Sequence, residues 1–319
     1  MKALLALNRN TQGILCLIGA IAFLTISDSI IKWLSPALPL HEIMLFRGVI
    51  ASFFLLFIIQ LEGGIKTLKT QRPGLHILRG TMLVLANMFF FTGLATMPLA
   101  ETIALFFTAP LFICMLSQPI LGEKVGLARW LAILLGLIGV IVMVRPGSEV
   151  FRLVSLLPIM AALSYAAMQM MTRKLGMRES AGAMTFYIQL AFIVISIAVG
   201  LGIGDGRFDK YNDPSISFLL RAWHWPQQSQ LELLLLCGFM VTFGGYLLSQ
   251  AYRLGEAAAV ASFEYSSMPL ALVIGFYLWG DWPDTVAFFG SGLIICSGLL
   301  VVYFEHRSTR QRLYPNPID

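Results

Sequence analysis

Residues 98–123 read PLAETIALFFTAPLFICMLSQPILGE, and residues 254–281 read LGEAAAVASFEYSSMPLALVIGFYLWGD. Each is an apolar run long enough to cross a bilayer, with an acid near its start, a proline inside it and a Gly-acid turn at its end. The landmarks stay in step. Pro110 and Pro269 lie 159 residues apart, as do Gly139 and Gly298, while Glu123 and Asp281 are 158 apart and Glu101 and Glu256 are 155 apart. A chain that repeats itself at half its length is built from two similar units, and the drift in spacing puts a small insertion or deletion early in the repeat.

Outward from these stretches the composition is uniform: 58% of residues are hydrophobic and 12% charged. Soluble domains carry about twice that share of charge, so lipid is the solvent for most of this surface. Crossing about 30 Å of hydrocarbon takes roughly 20 apolar residues. On that measure the chain holds ten candidate helices, at 13–33, 42–61, 76–96, 100–120, 126–145, 153–173, 180–202, 231–253, 257–279 and 285–304. The first spans without a small-residue cleavage site behind it, so it reads as a retained helix. The expected fold is an all-α integral membrane protein. Five helices per repeat is an odd number, so the second repeat enters the membrane upside down. Inverted repeats of this kind place a carrier's binding site near the midplane, between the halves. The units run 1–147 and 148–307, and 308–319 is a cytoplasmic tail.

The net charge of +5 does not indicate nucleic acid, because the basic residues fall in short clusters between apolar runs. With the N-terminus in the cytoplasm, inside segments hold 15 of the 22 Lys and Arg residues and outside segments 6, with Arg47 inside a helix. That asymmetry keeps both termini in the cytoplasm. The long segment 203–230 then lies outside as a loop, its Trp223 and Trp225 reading as interfacial anchors.

Signatures of enzyme chemistry are missing. Cys16, Cys114, Cys237 and Cys296 each sit in an apolar run with no CxxC pair. No Gly-Lys pair exists for a phosphate loop, His41-Glu42 lacks the second histidine of a zinc protease, and Gly200, Gly202, Gly204 and Gly206 miss the dinucleotide spacing. His41 and His76 fall at opposite membrane faces, and His224 and His306 in soluble segments. A carrier without cofactor or metal is therefore favoured over a membrane-embedded enzyme or scaffold.

The chain resembles the EamA-type branch of the drug/metabolite transporter superfamily. The resemblance rests on the two five-helix repeats, the Leu121-Gly122-Glu123 turn after helix 4, Pro98-Leu99-Ala100-Glu101, Pro110, Asp28 with Lys32, and Phe46-Arg47. In the second repeat Trp279-Gly280-Asp281 replaces Leu-Gly-Glu but keeps the acid. The resemblance implies a permease of the bacterial inner membrane that moves a small metabolite (amino acid, vitamin, nucleoside-like or drug-like compound) by alternating access. Helices of both repeats would enclose its central cavity.

An ionisable side chain at membrane depth faces a partner or a wet cavity. Asp28, Lys32, Arg47 and Glu264 are such groups, and Asn87, Gln169 and Gln189 are deep polar ones. Asp28 and Arg47 fall at similar depths on neighbouring helices, so an Asp28–Arg47 or Asp28–Lys32–Arg47 cluster is expected at the cavity. Glu264, about 10 Å deep at 1.5 Å per residue, has no basic neighbour in sequence and is expected to bind a cationic group or carry a proton. Tyr265, Ser266 and Ser267 follow it, and Pro269 removes a backbone donor and frees carbonyls to line a cavity. Glu101 opens helix 4 near a cavity mouth. Glu123 and Asp281 suit the positive ends of the helices they precede. Ala128, Ala132 and Gly136 form a small-residue face that serves packing within the protomer or the seam of a homodimer.

Overall fold

The structure is a computed structural model that describes residues 9–122, 127–144, 153–175, 179–210, 213–255 and most positions between 257 and 303. The helices are α1 (Arg9–Leu34), α2 (Leu40–Leu61), α3 (Pro73–Leu94), α4 (Leu99–Phe106), α5 (Ala109–Leu121), α6 (Leu127–Val144), α7 (Leu156–Leu175), α8 (Ala181–Ile203), α9 (Pro214–Leu220), α10 (Gln228–Leu254) and α11 (Ser267–Trp279). Among the described residues there is no strand. Among the described residues seven stretches are long and apolar enough to span a membrane: Thr11–Leu34, Leu40–Leu61, Pro73–Leu94, Glu101–Leu121, Leu153–Leu175, Ala181–Ile203 and Gln228–Leu254. A shorter apolar helix, Phe288–Ser297, follows them. The chain is an all-α, multi-pass protein, as a lipid solvent demands, because helices satisfy every backbone group internally.

Local chemistry sets the helix ends. Pro73 opens α3 and Pro214 opens α9, where the missing N–H is not needed. The Asp213 carboxylate accepts from the amides of Ser215 and Ile216 at 2.9 and 3.1 Å, and the Ser180 hydroxyl accepts from the Ala183 amide at 3.0 Å. α5 stops at Gly122 (φ +74°) and α11 at Gly280 (φ +70°). Both glycines are left-handed, and each amide reaches back to a carbonyl four residues earlier, Gln118 and Phe276, at 3.0 Å. The glycine of each Gly-acid turn thus ends a helix; the acids Glu123 and Asp281, with Glu256, lie outside the described residues.

Three expectations are corrected. The apolar run 100–120 is not one continuous helix. The chain turns at Phe107-Thr108 between α4 and α5, because Pro110 has no N–H for the Phe106 carbonyl. The run 257–279 is interrupted in the same way, with a turn at Phe263-Glu264 before α11 starts at Ser267. Segment 203–230 is not a bare loop either, since it folds into α9.

The tightest packing crosses between the two halves of the chain. α1 lies along α10, α3 along α7, α2 against α8 and α4 against α11. Small residues permit this closeness: a β-carbon on Gly244 of α10 would lie 2.8 Å from the Leu24 side chain, and one on Gly13 would lie 2.9 Å from the Ala251 carbonyl. Of the small-residue face on α6, Gly136 is buried against Leu111 and Ser297 of the same chain. The side chains of Ala128 and Ala132 lie outside the description.

Candidate functional site

These helix pairs leave a cavity of about 190 Å³ at the centre, bounded by α1, α2, α3, α4, α7, α8, α10 and the stretch before α11. Its wall is mostly apolar, with Phe90, Phe91, Phe106, Phe107, Phe192 and Tyr165 facing it. Phe106 bridges Phe90 and Tyr165, its ring centroid 5.3 and 5.2 Å from theirs.

Among the described residues four acidic or basic side chains interrupt this wall: Asp28, Arg47, Arg79 and Glu264. Arg79 is 1% exposed. Its Nε donates to the Thr172 hydroxyl at 2.7 Å, and its two terminal nitrogens donate to the Met184 carbonyl at 2.8 Å and the Ser249 hydroxyl at 3.4 Å. One guanidinium therefore joins α3, α7, α8 and α10. Glu264, 7% exposed, accepts from the Tyr165 hydroxyl at 2.8 Å and from the Tyr252 hydroxyl. Arg47 donates from Nη2 to Asn87 Oδ1 at 3.4 Å, and its guanidinium lies 4.8 Å from the centroid of the Phe192 ring. Its Nε, the Gln169 Nε2 and the Gln189 Oε1 are buried without a hydrogen-bond partner, and all three residues line the cavity.

The expected site residues are divided by this arrangement. Asp28, Arg47, Asn87, Gln169, Glu264 and Ser267 all line the cavity. Lys32 does not join Asp28: its ammonium donates to the Met97 carbonyl at 3.1 Å and stands 4.8 Å over the Trp279 ring. The Asp28–Lys32–Arg47 cluster is not formed, because Lys32 lies one turn further along α1, level with α11 rather than with the cavity. Glu101, at the start of α4, is half-buried but off the cavity wall. Tyr265 lies outside the described residues. Ser267 donates to the Glu264 carbonyl at 2.8 Å and so closes the turn before α11.

Three residues escaped the sequence reading. Arg79 was counted among the topological charges of the inside segments, although it is the seventh residue of α3. A basic residue that close to a span's end gives the same signal whether it faces water or protein. Tyr165 and Tyr252 are unremarkable in a single sequence, and only the approach of α7 and α10 to residue 264 gives them a role.

A second pocket of about 150 Å³ lies past Asn87 and Phe192, which line both spaces. It is roofed by Leu219 and Leu220 at the end of α9. α9 is tied down from both sides. Arg221 donates to the carbonyls of Ser35 and Pro36 at 3.1 and 2.6 Å, and the Ser215 and Thr96 hydroxyls are 3.0 Å apart. Trp223 stacks on His41 with centroids 5.6 Å apart, so this tryptophan packs on protein, whereas Trp225 is 78% exposed.

A helical membrane protein that closes an aromatic-walled cavity between two interleaved halves has the build of a carrier. Residues 11–145 match the EamA-like transporter family. The chain is 27% identical over 303 residues to an S-adenosylmethionine uptake transporter of Rickettsia prowazekii, covering 95% of this chain and 96% of the relative. It is 29% identical over 304 residues to a riboflavin transporter of Vibrio cholerae, covering 94% and 96%. A pseudopaline exporter, CntI, of Pseudomonas aeruginosa is 25% identical over 285 residues, covering 89% and 93%. One solved crystal structure shares the fold, with a TM-score of 0.66 at 18% identity over 93% of this chain and 98% of that one. The resemblance read from the sequence is borne out by the match of residues 11–145 and by relatives that are metabolite transporters: this chain is a small-metabolite transporter and not an enzyme.

Proposed function

We propose that the chain is a secondary carrier of the bacterial inner membrane that takes up a metabolite joining a flat heteroaromatic ring to a polar tail, by alternating access through the central cavity. The observation that carries this reading is the cavity wall itself. Rings of Phe90, Phe91, Phe106, Phe107 and Phe192 offer faces and edges to a flat solute, and the unpartnered polar atoms of Arg47, Gln169 and Gln189 await hydrogen bonds. S-adenosylmethionine and riboflavin, named for two of the relatives, both have such a shape.

The architecture proposed is ten helices in two inverted repeats, 1–147 and 148–307, with both termini cytoplasmic. The packing supports it. If α1 corresponds to α7 and α3 to α10, exchanging the halves turns the α1–α10 contact into the α7–α3 contact, and both are among the most extensive in the molecule. The breaks before Pro110 and Pro269 and the left-handed Gly122 and Gly280 obey the same exchange. Asp28, Arg47, Asn87, Gln169 and Glu264 then contact substrate, Ser267 shapes the turn that presents Glu264, and Glu264 carries a proton in exchange.

Uptake of radiolabelled S-adenosylmethionine and riboflavin into proteoliposomes tests the function. Saturable uptake of either, accelerated by a proton gradient, is expected; a folded protein that accumulates neither overturns the reading. Alkaline phosphatase inserted in segment 203–230 is expected to be active, and the same reporter at the C-terminus inactive. The reverse pattern refutes the topology.

A further inference from the structure

Of the four acidic or basic groups described on the cavity wall, two are committed. Arg79 is held by three oxygen acceptors and Glu264 by two tyrosine hydroxyls. Asp28 and Arg47 are not. Among the described residues Asp28 makes no hydrogen bond or ion pair. Arg47 is 3% exposed, yet its Nε has no partner. Both line the cavity, and among the described residues no ion pair joins them. Asn87 and the Phe192 ring hold the guanidinium where it is. Keeping an acid and a base in one apolar-walled cavity but unpaired sacrifices hydration on both sides without the return of a direct ion pair. A lone anion would compensate Arg47 only, and a lone cation Asp28 only. A solute with both charges on adjacent atoms compensates the two together.

We propose that Asp28 and Arg47 are a receptor for the zwitterionic head of an α-amino acid. Asp28 accepts hydrogen bonds from the ammonium, and Arg47 donates through Nε and a terminal nitrogen to the carboxylate, the paired geometry that guanidinium suits. In such a head the two charged groups are joined by a single carbon, so the acid and base that clasp it face one cavity without pairing with each other, as Asp28 and Arg47 do. The rest of the solute, its ring included, extends along the phenylalanines. This inference rests on the carrier reading of the cavity and narrows its substrate to compounds with an amino-acid end.

The test is equilibrium binding to the full chain in detergent, read by calorimetry, with S-adenosylmethionine, its decarboxylated analogue, adenosine and riboflavin as probes. In the wild type, removal of the carboxylate is expected to weaken binding about 10- to 100-fold, the range of a charge-assisted pair, and adenosine is weaker again. Arg47→Gln is expected to abolish the preference for S-adenosylmethionine over its decarboxylated analogue. Asp28→Asn is expected to weaken both of these amines and to leave the preference between them. Equal affinity of the wild type for S-adenosylmethionine and adenosine, or binding of riboflavin alone, overturns the proposal; saturable riboflavin uptake would then still uphold the carrier. Equal weakening of every probe by both variants makes the pair a structural contact and overturns it too. The wild-type ligand series decides the matter even where a variant fails to fold.

Discussion

A carboxyl buried between two tyrosines can act as a fixed acceptor or as a proton store, and Glu264 also faces the cavity, where a proton could leave it. Glu264→Gln retains an acceptor for the hydroxyls of Tyr165 and Tyr252 and removes the titration. Transport by this variant is expected to fall by about tenfold or more and to lose its pH dependence between about pH 5.5 and pH 8. Wild-type rates throughout that range would make Glu264 a structural acceptor only. Arg79 is the opposite case, a cation saturated by neutral oxygens at the meeting of four helices. Arg79→Met takes a donor from the Thr172 hydroxyl, the Met184 carbonyl and Ser249, which keeps only its bond from Thr185, so a loss of about 2 kcal/mol or more is expected, seen as a lower melting temperature of the detergent-solubilised protein. An unchanged melting temperature would show that those oxygens find other donors. How well the site could be read from sequence follows from depth. Asp28, Arg47 and Glu264 stood out because a charge in the middle of an apolar run has no ordinary explanation. Arg79 did not, because six residues from Pro73 it could belong to either side of the boundary. Gln169 was expected on the pathway and Gln189 only as a deep polar group; both line the cavity, and each has a buried polar atom with no hydrogen-bond partner.

Among the elements, α9 is the one whose removal would change access. It covers the second pocket, and its attachment to the α1–α2 turn runs through the Arg221 guanidinium. Ser196 lines that pocket and is 5% exposed. A cysteine introduced by Ser196→Cys is expected to react slowly with a membrane-impermeant thiol reagent, and about tenfold faster when Arg221→Ala is added, as local opening becomes easier. Equal rates would mean that α9 does not limit entry. The long helices were legible because a bilayer imposes a minimum length, and each apolar run meets it. Seven residues make barely two turns, too few for a periodic signal, so α9 was taken for loop. Pro110 and Pro269 were legible as disturbances, but the extent of the break depends on how α4 meets α11 and α7, which only the folded chain decides.

For the whole molecule, the seam between halves matters more than either half. Gly244 presses its backbone on Leu24 across the α1–α10 contact. Gly244→Leu is expected to cost about 1–3 kcal/mol through overpacking, and a size-exclusion profile shifted to aggregates checks it; a sharp wild-type peak would show that the seam has slack. The same seam governs how the protein is made. Leu34 and Gln228, the ends of α1 and α10 that face each other along the chain, are 194 residues apart. A ribosome adding roughly 5–20 residues per second needs about 10–40 s to cover that stretch. For all that time the first helix sits in the bilayer with its principal partner unsynthesised, and α3 waits in the same way for α7. Residues 1–147 expressed alone are therefore expected to be degraded, and co-expression with residues 148–319 to restore both protein level and uptake. The nascent N-terminal half is a client for whatever shelters unpaired helices in the membrane, and its lifetime there is set by the speed of translation.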